Sequence, residues 1–289
     1  MRVILIVLLL TVCSVSLGIS QEAGFTKRLK KPRLVKLWET DTVLKDVESA
    51  IYDSTNQVIY ATSINGHWLK ANGKGFISKI GLDGNITCHK WIDAIEGPTG
   101  TAMYNNKLYV ADFDTILEID IKTATITNSH KIPATERIND LTVAEDGTLY
   151  GSGTKSGKLI ALQDNKATVI ASDLEWPNGL LYEKDKLLIG LGDNTVIDYN
   201  VKTNSSNVLT KDISNPDGIV AIGNGDYLIS SWQGMIYYVT SNGDKILLLD
   251  TVEKKENAAD ITYIPSLRMV LVPAMLQHKL IAYTLIDED

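Results

Sequence analysis

One short phrase occurs three times in this chain, and its spacing constrains the fold more than any other feature. The copies read RINDLTV (Arg137–Val143), WPNGLLY (Trp176–Tyr182) and NPDGIVA (Asn215–Ala221). Each sets one small oxygen-bearing side chain, Asn139, Asn178 or Asp217, just ahead of an apolar strand, and 39 residues separate each from the next. A fixed period of about 40 residues, with several short strands per period, is the signature of a β-propeller. Equivalent positions of successive blades face one central axis, so the three side chains are expected to converge.

Sliding the repeat outwards places Thr99 of GPTGTAM, Glu48 of VESAIYD and Ala259 of AADITYI at the equivalent position. From Glu48 onwards the intervals are 51, 40, 39, 39 and 42 residues, which makes six units. Inside the third unit, Asp146-Gly147, Ser156-Gly157 and Asp164-Asn165 are hairpin turn signals; the fifth repeats them as Asn224-Gly225, Gln233-Gly234 and Asn242-Gly243. The sixth unit is one strand short, and LVKLWET (Leu34–Thr40) is the expected replacement. The expectation is an all-β chain: one six-bladed β-propeller over residues 34–289, closed by strands from both termini so that no sheet edge stays open. The first unit is long because it carries SINGHWLKANGKGF (Ser63–Phe76), which reads as a loop reaching over one face.

Residues 1–20 read as a secretory signal, an apolar run too short to span a bilayer and then small residues up to Ser20. Cys13 follows Leu10-Thr11-Val12, an imperfect bacterial lipobox, so a lipid anchor at Cys13 is the alternative to soluble export. Either way the mature protein is expected outside the cytosol, periplasmic or secreted, as a monomer with no membrane span. Residues 21–33 form a basic lead-in carrying Lys27, Arg28, Lys30, Lys31 and Arg33, read as solvated. The net charge of −7 argues against nucleic-acid partners. Removal of the leader leaves Cys88 as the sole cysteine, read as a buried strand residue that cannot act together with His89 on the opposite face.

Glu48, Asn139, Asn178 and Asp217 are the candidate metal ligands. Two carboxylates and two amides suit a hard divalent cation, Ca²⁺ first, with Zn²⁺, Mn²⁺ and Mg²⁺ as alternatives. Turn chemistry alone would favour such residues at every blade entry, but Thr99 and Ala259 at the other two positions are not comparable ligands.

The phrases RINDLTVAEDGTLYGSG, PNGLLYEKDKLLIG and NPDGIVAIGNGDYLIS resemble the senescence-marker-protein (regucalcin), gluconolactonase and luciferin-regenerating-enzyme-like family. That resemblance implies a six-bladed propeller whose channel holds one cation on a Glu, Asn, Asn, Asp set, matched here by Glu48, Asn139, Asn178 and Asp217. It also implies that Arg137 helps to hold substrate. The chain departs from the family at Ser49-Ala50, where Gly-Pro is usual, and at Leu141, where a glycine is usual.

The expected activity is metal-dependent hydrolysis of a lactone or similar small ester. The cation would polarise the carbonyl and lower the pKa of a water, and Asp217 or Glu48 would accept that water's proton. Arg137, with Trp68 and His67 of the long loop, is expected to contact substrate. The competing expectation is a non-catalytic secreted propeller that binds a protein, peptide or glycan, with the ion structural. Other chemistry finds little support. The four histidines lack metal-binding spacing, no GxSxG phrase is present, and GSGTKSGK (Gly151–Lys158) falls on a hairpin with no following helix. Trp38, Trp91, Trp176 and Trp232 read as packing between blades.

Overall fold

The structure, a computed structural model, describes residues 24–133 and 135–288. The expected signal segment and Cys13 lie outside the described residues. Six four-stranded antiparallel sheets follow one another round a ring. Blades one to five occupy residues 47–95, 98–131, 138–171, 180–210 and 216–250, each running from its innermost to its outermost strand. The sixth blade takes three strands from residues 262–287 and its outermost strand, Pro32–Glu39, from the other end of the chain. That strand pairs from Pro32 opposite Asp287 to Glu39 opposite Ile281, so the ring is closed as the sequence implies.

Local chemistry explains the meander. At the two-residue hairpins Asn105-Asn106, Asp164-Asn165 and Lys184-Asp185, both residues have left-handed backbone, the geometry of a turn whose twist matches the strands it joins. Gly147 and Gly225 adopt φ of 88° and 86° in the turns that the sequence marks. The apolar residues left inward by strand alternation are buried mainly between neighbouring blades. Ile116, Ile138 and Ile160, for example, pack between the second and third blades, and Leu187, Ile189 and Leu159 between the third and fourth.

Two details differ from the sequence reading. The basic lead-in keeps its charged side chains exposed, but Leu29 is buried and Phe25 packs against the core between the last two blades. The Asp287 carboxylate accepts the backbone N–H groups of Lys30 (3.0 Å) and Lys31 (2.6 Å), which ties the lead-in to the closing strand. Cys88 is exposed, not buried. It lies on Ile86–Ile95, the outermost strand of its blade, where bulges and the left-handed Lys90 break the alternation on which the expected burial rested.

Candidate functional site in the central channel

The channel end of each innermost strand carries the repeated phrase, and a register shift interrupts pairing there in most blades. The shifts fall between Val47 and Ser49, Pro98 and Thr101, Ile138 and Leu141, and Pro216 and Ile219. A β-bulge at that point turns the strand and re-aims a side chain. Glu48, Thr99, Asn139 and Asp217, set at these shifts, reach the wall of one cavity of about 580 Å³ together with Asn178, whose N–H donates to the Gly190 carbonyl (2.9 Å). The amide Nδ2 of Asn139 donates to Oδ1 of Asn178 (2.7 Å), and Asn178 in turn hydrogen-bonds the Asp217 carboxylate. The four candidate ligands therefore come from four blades into one space.

The residue after each ligand position sets how closely the blades approach. In the second, fourth and fifth blades it is glycine: Gly100, Gly179 and Gly218. A Cβ on Gly100 would lie 2.5 Å from the Cα of Asp140, and one on Gly218 would lie 2.9 Å from Oδ1 of Asp260. A Cβ on Gly179 would lie 2.7 Å from the carbonyl carbon of Asp217 and closer still to its oxygen. In the other three blades the same position is polar: Ser49 and Asp140 are buried and Asp260 is half-buried. Asp140 accepts the backbone N–H of Leu180 (2.6 Å), and Asp260 accepts the Ser49 hydroxyl (2.7 Å).

Sequence reasoning missed this second layer. Its signal was present one step along the same repeat, where three blades carry glycine and three an acid or a serine.

The result is a concentration of buried acids. Burial, together with the negative charges of Asp217, Asp260 and Asp140, pushes the Glu48 carboxyl well above the usual carboxylate range. Asp217 is pushed up by burial and by Asp260, against the stabilising hydrogen bond from Asn178. Asp140 is raised chiefly by burial, and burial takes Asp260 to about 7 despite its bond from Ser49. Glu48 Oε2 is buried and has no hydrogen-bond partner among the described residues.

Among the described residues, Arg137 is the one cation on the cavity wall. It is 2 % exposed, its Nη1 donates to the Gly97 carbonyl (2.8 Å), and its guanidinium lies 4.4 Å from the centre of the Phe113 ring. Burial lowers its pKa to about 10, opposed by Glu48 and Asp112. Its Nε and Nη2 find no partner among the described residues.

The mouth is apolar. Trp68 packs with Trp232 against Ile64, Ala259 and Met275, so the long loop does cover part of the channel face. Trp176 also lines the cavity, 6.4 Å from Trp68 between ring centres. The assignment of Trp176 and Trp232 to inter-blade packing is therefore corrected; Trp38 and Trp91 do pack in that way. The cause is a backbone feature that repeats two residues before the ligand. Arg137, Trp176 and Asn215 all adopt left-handed φ, of 58°, 43° and 42°, and all line the cavity. His67 does not join them. It is exposed, and its Nδ1 accepts the Leu69 N–H (3.1 Å) within its own loop.

The chain matches no known family profile and no curated protein. Among solved structures it is similar to a streptogramin B lyase, at 14 % identity and a TM-score of 0.62, with 88 % of this chain and 97 % of that one covered. A catalytically inactive virginiamycin B lyase from Staphylococcus aureus with quinupristin gives 14 %, 0.61, 89 % and 99 %. A nidogen/laminin complex gives 15 %, 0.64, 75 % and 84 %. At these identities the likeness shows the β-propeller fold alone, and the six blades are those of this chain's own sheets. No helix among the described residues is long and apolar enough to cross a membrane.

Proposed function

We propose that this propeller is a metal-dependent hydrolase of a lactone or similar small ester, with one divalent cation, Ca²⁺ first, in its channel. The observation that carries the reading is the convergence of Glu48, Asn139, Asn178 and Asp217 on one cavity with Glu48 Oε2 buried and unpartnered. An unpaired buried carboxylate oxygen is costly, and the acids gathered there, Glu48, Asp140, Asp217 and Asp260, raise one another's pKa, with Arg137 acting on Glu48 alone. An all-oxygen donor set with two carboxylates fits a hard cation. The same four ligands and Arg137 underlie the resemblance to the gluconolactonase-like family.

Such a cation supplies Lewis-acid polarisation of a carbonyl and acidifies a water. The protein's own groups do the rest. Arg137, held by Gly97 and Phe113, turns its free Nε and Nη2 towards a substrate oxygen. Asn178 fixes the Asp217 carboxylate by its hydrogen bond, which leaves Glu48 Oε2 as the free proton acceptor. In hydrolysis, water oxygen bonds to the carbonyl carbon, the ring C–O bond breaks, and the water's proton passes by Glu48 to the departing alkoxide.

The test is turnover of a panel of small lactones by the purified protein, with and without chelator. Loss of turnover on chelation, and in folded Asn178→Ala and Asp217→Ala, is the expected result. A folded protein that binds the ion yet hydrolyses none of the panel would replace this reading with a structural ion in a binding propeller.

A further inference from the structure

The geometry points to Arg137 as the receptor for a carboxylate: the cavity takes ligands that carry a free carboxylate group. Its substrates would then be lactones or small esters that bear one, and naming them as substrates rests on the hydrolase reading above. The first observation is which part of the guanidinium is left unused. Nη1 donates to the Gly97 carbonyl (2.8 Å), and one face lies against the Phe113 ring, 4.4 Å from its centre. Nε and Nη2 have no partner among the described residues. Those two nitrogens share one edge of the group, and their N–H bonds run side by side. That spacing matches the two oxygens of a carboxylate, which accepts both bonds at once.

The second observation is charge. Arg137 is 2 % exposed, and with a pKa of about 10 it stays protonated at neutral pH. Two carboxylates act on it, Glu48 and Asp112, yet neither accepts a hydrogen bond from it. Asp112 is committed elsewhere: its oxygens accept the N–H groups of Gly97 (2.7 Å) and Glu96 (3.2 Å). Glu48 belongs to the candidate cation set, whose ion offsets its charge in the hydrolase reading. A pair of neutral hydroxyls can accept from Nε and Nη2 but leaves the buried charge without a counter-ion. A carboxylate satisfies both. The single cation also suits a monoanion, because a phosphate ester would bring up to about two negative charges to it with Glu48 close by.

The third observation is how firmly the group is placed. Its backbone is left-handed, φ 58°, and hydrogen-bonded on both sides. The Ile138 N–H donates to the Phe113 carbonyl (2.6 Å), and the Thr154 N–H to the Arg137 carbonyl (3.1 Å). Gly97 leaves room for the stack, since a Cβ on it would lie 2.8 Å from the Phe113 ring. A guanidinium held in place before the ligand arrives loses less rotamer freedom on binding. Trp176 and Asn215 hold the equivalent position in the next two blades, with the same left-handed backbone, and both line the cavity. The fold thus accepts quite different side chains there, and arginine is not one of its requirements.

The test compares two hydrolysis-inert lactams, pyroglutamate and its neutral carboxamide pyroglutamide, by calorimetry in calcium-containing buffer. Wild type is expected to bind the carboxylate about tenfold tighter than the amide. Arg137→Gln should erase that preference, and Arg137→Lys, which keeps the charge but not the fork, should restore only part of it. Phe113→Leu, which loosens the guanidinium and leaves its charge, should lower the preference and decides the matter where the Arg137 variants do not fold. A merely structural arginine would change stability in these variants and leave the preference alone. No binding of pyroglutamate, equal binding of the two lactams, or a preference that survives in the folded variants, as for a carboxylate seated on the calcium ion, would overturn the inference. An Arg137-dependent preference without hydrolysis of the lactone analogue of pyroglutamate would uphold the carboxylate site and sink the hydrolase reading. Hydrolysis of γ-butyrolactone with no such preference would do the reverse.

Discussion

Gly179→Ala isolates the contact that places two of the four candidate ligands. The glycine follows Asn178 and faces the backbone of Asp217 in the next blade. The added methyl carbon would sit 2.7 Å from the Asp217 carbonyl carbon, with the oxygen nearer still. Unstrained carbon contacts lie at about 3.5–4.0 Å, so the blades must part by roughly 1 Å locally. No flexible side-chain end is there to yield; the obstacle is backbone. Overpacking of this kind costs about 1–3 kcal/mol, and a rigid backbone neighbour puts Gly179→Ala at the upper end. For a chain of this size, about 3 kcal/mol is a fall of roughly 5 °C in Tm by calorimetry. Gly151→Ala is the matched comparison, because its added methyl meets only side-chain ends of Ile160 and Leu141, at 3.1 to 3.2 Å, and about 1 kcal/mol is expected. Cation affinity should fall at least tenfold in Gly179→Ala and stay near wild type in Gly151→Ala. Equal melting of Gly179→Ala and wild type would refute the close inter-blade approach on which the site's geometry depends.

The buried acids predict an unusual pH dependence. Their folded pKa values are raised, so their stabilising contribution is complete below the unfolded carboxylate range and is lost as pH rises through the folded value, about 7 for Asp260. Chelator-treated protein should therefore melt higher at pH 5 than at pH 8, calcium should reduce that difference, and Asp260→Asn should flatten it. Asp287→Ala removes the acceptor for two backbone N–H groups that pin the lead-in. About 1–3 kcal/mol should be lost, with faster proteolysis near Lys30.

How much of this could be seen in the sequence depends on which property carries the information. Asn139, Asn178 and Asp217 were legible because a closed ring repeats its innermost strands at a near-constant interval. Glu48 was legible too, although the Ser63–Phe76 insertion stretches the first interval to 51 residues. Asp140 and Asp260 were not, because strand alternation sends the neighbour of a channel residue away from the channel. At Asp140 the bulge breaks that alternation and buries the acid beside the ligand layer, and Asp260 precedes its strand, where alternation gives no guide. Trp176 was misassigned for a related reason: its left-handed backbone turns a residue expected between blades into the mouth. Trp68 was found because an insertion has little cause to carry a tryptophan unless it covers something. Its neighbour His67 points into solvent, a difference that loop sequence does not encode.

The most direct measurement is calorimetric titration of Ca²⁺ into chelator-treated protein, for wild type and for folded Asn139→Ala and Asp217→Ala. Convergent ligands predict one ion per chain, at least tenfold weaker binding in Asn139→Ala and none measurable in Asp217→Ala. No heat with Ca²⁺, Mn²⁺, Zn²⁺ or Mg²⁺, or binding unchanged in both variants, would contradict a cation site at the centre of this propeller.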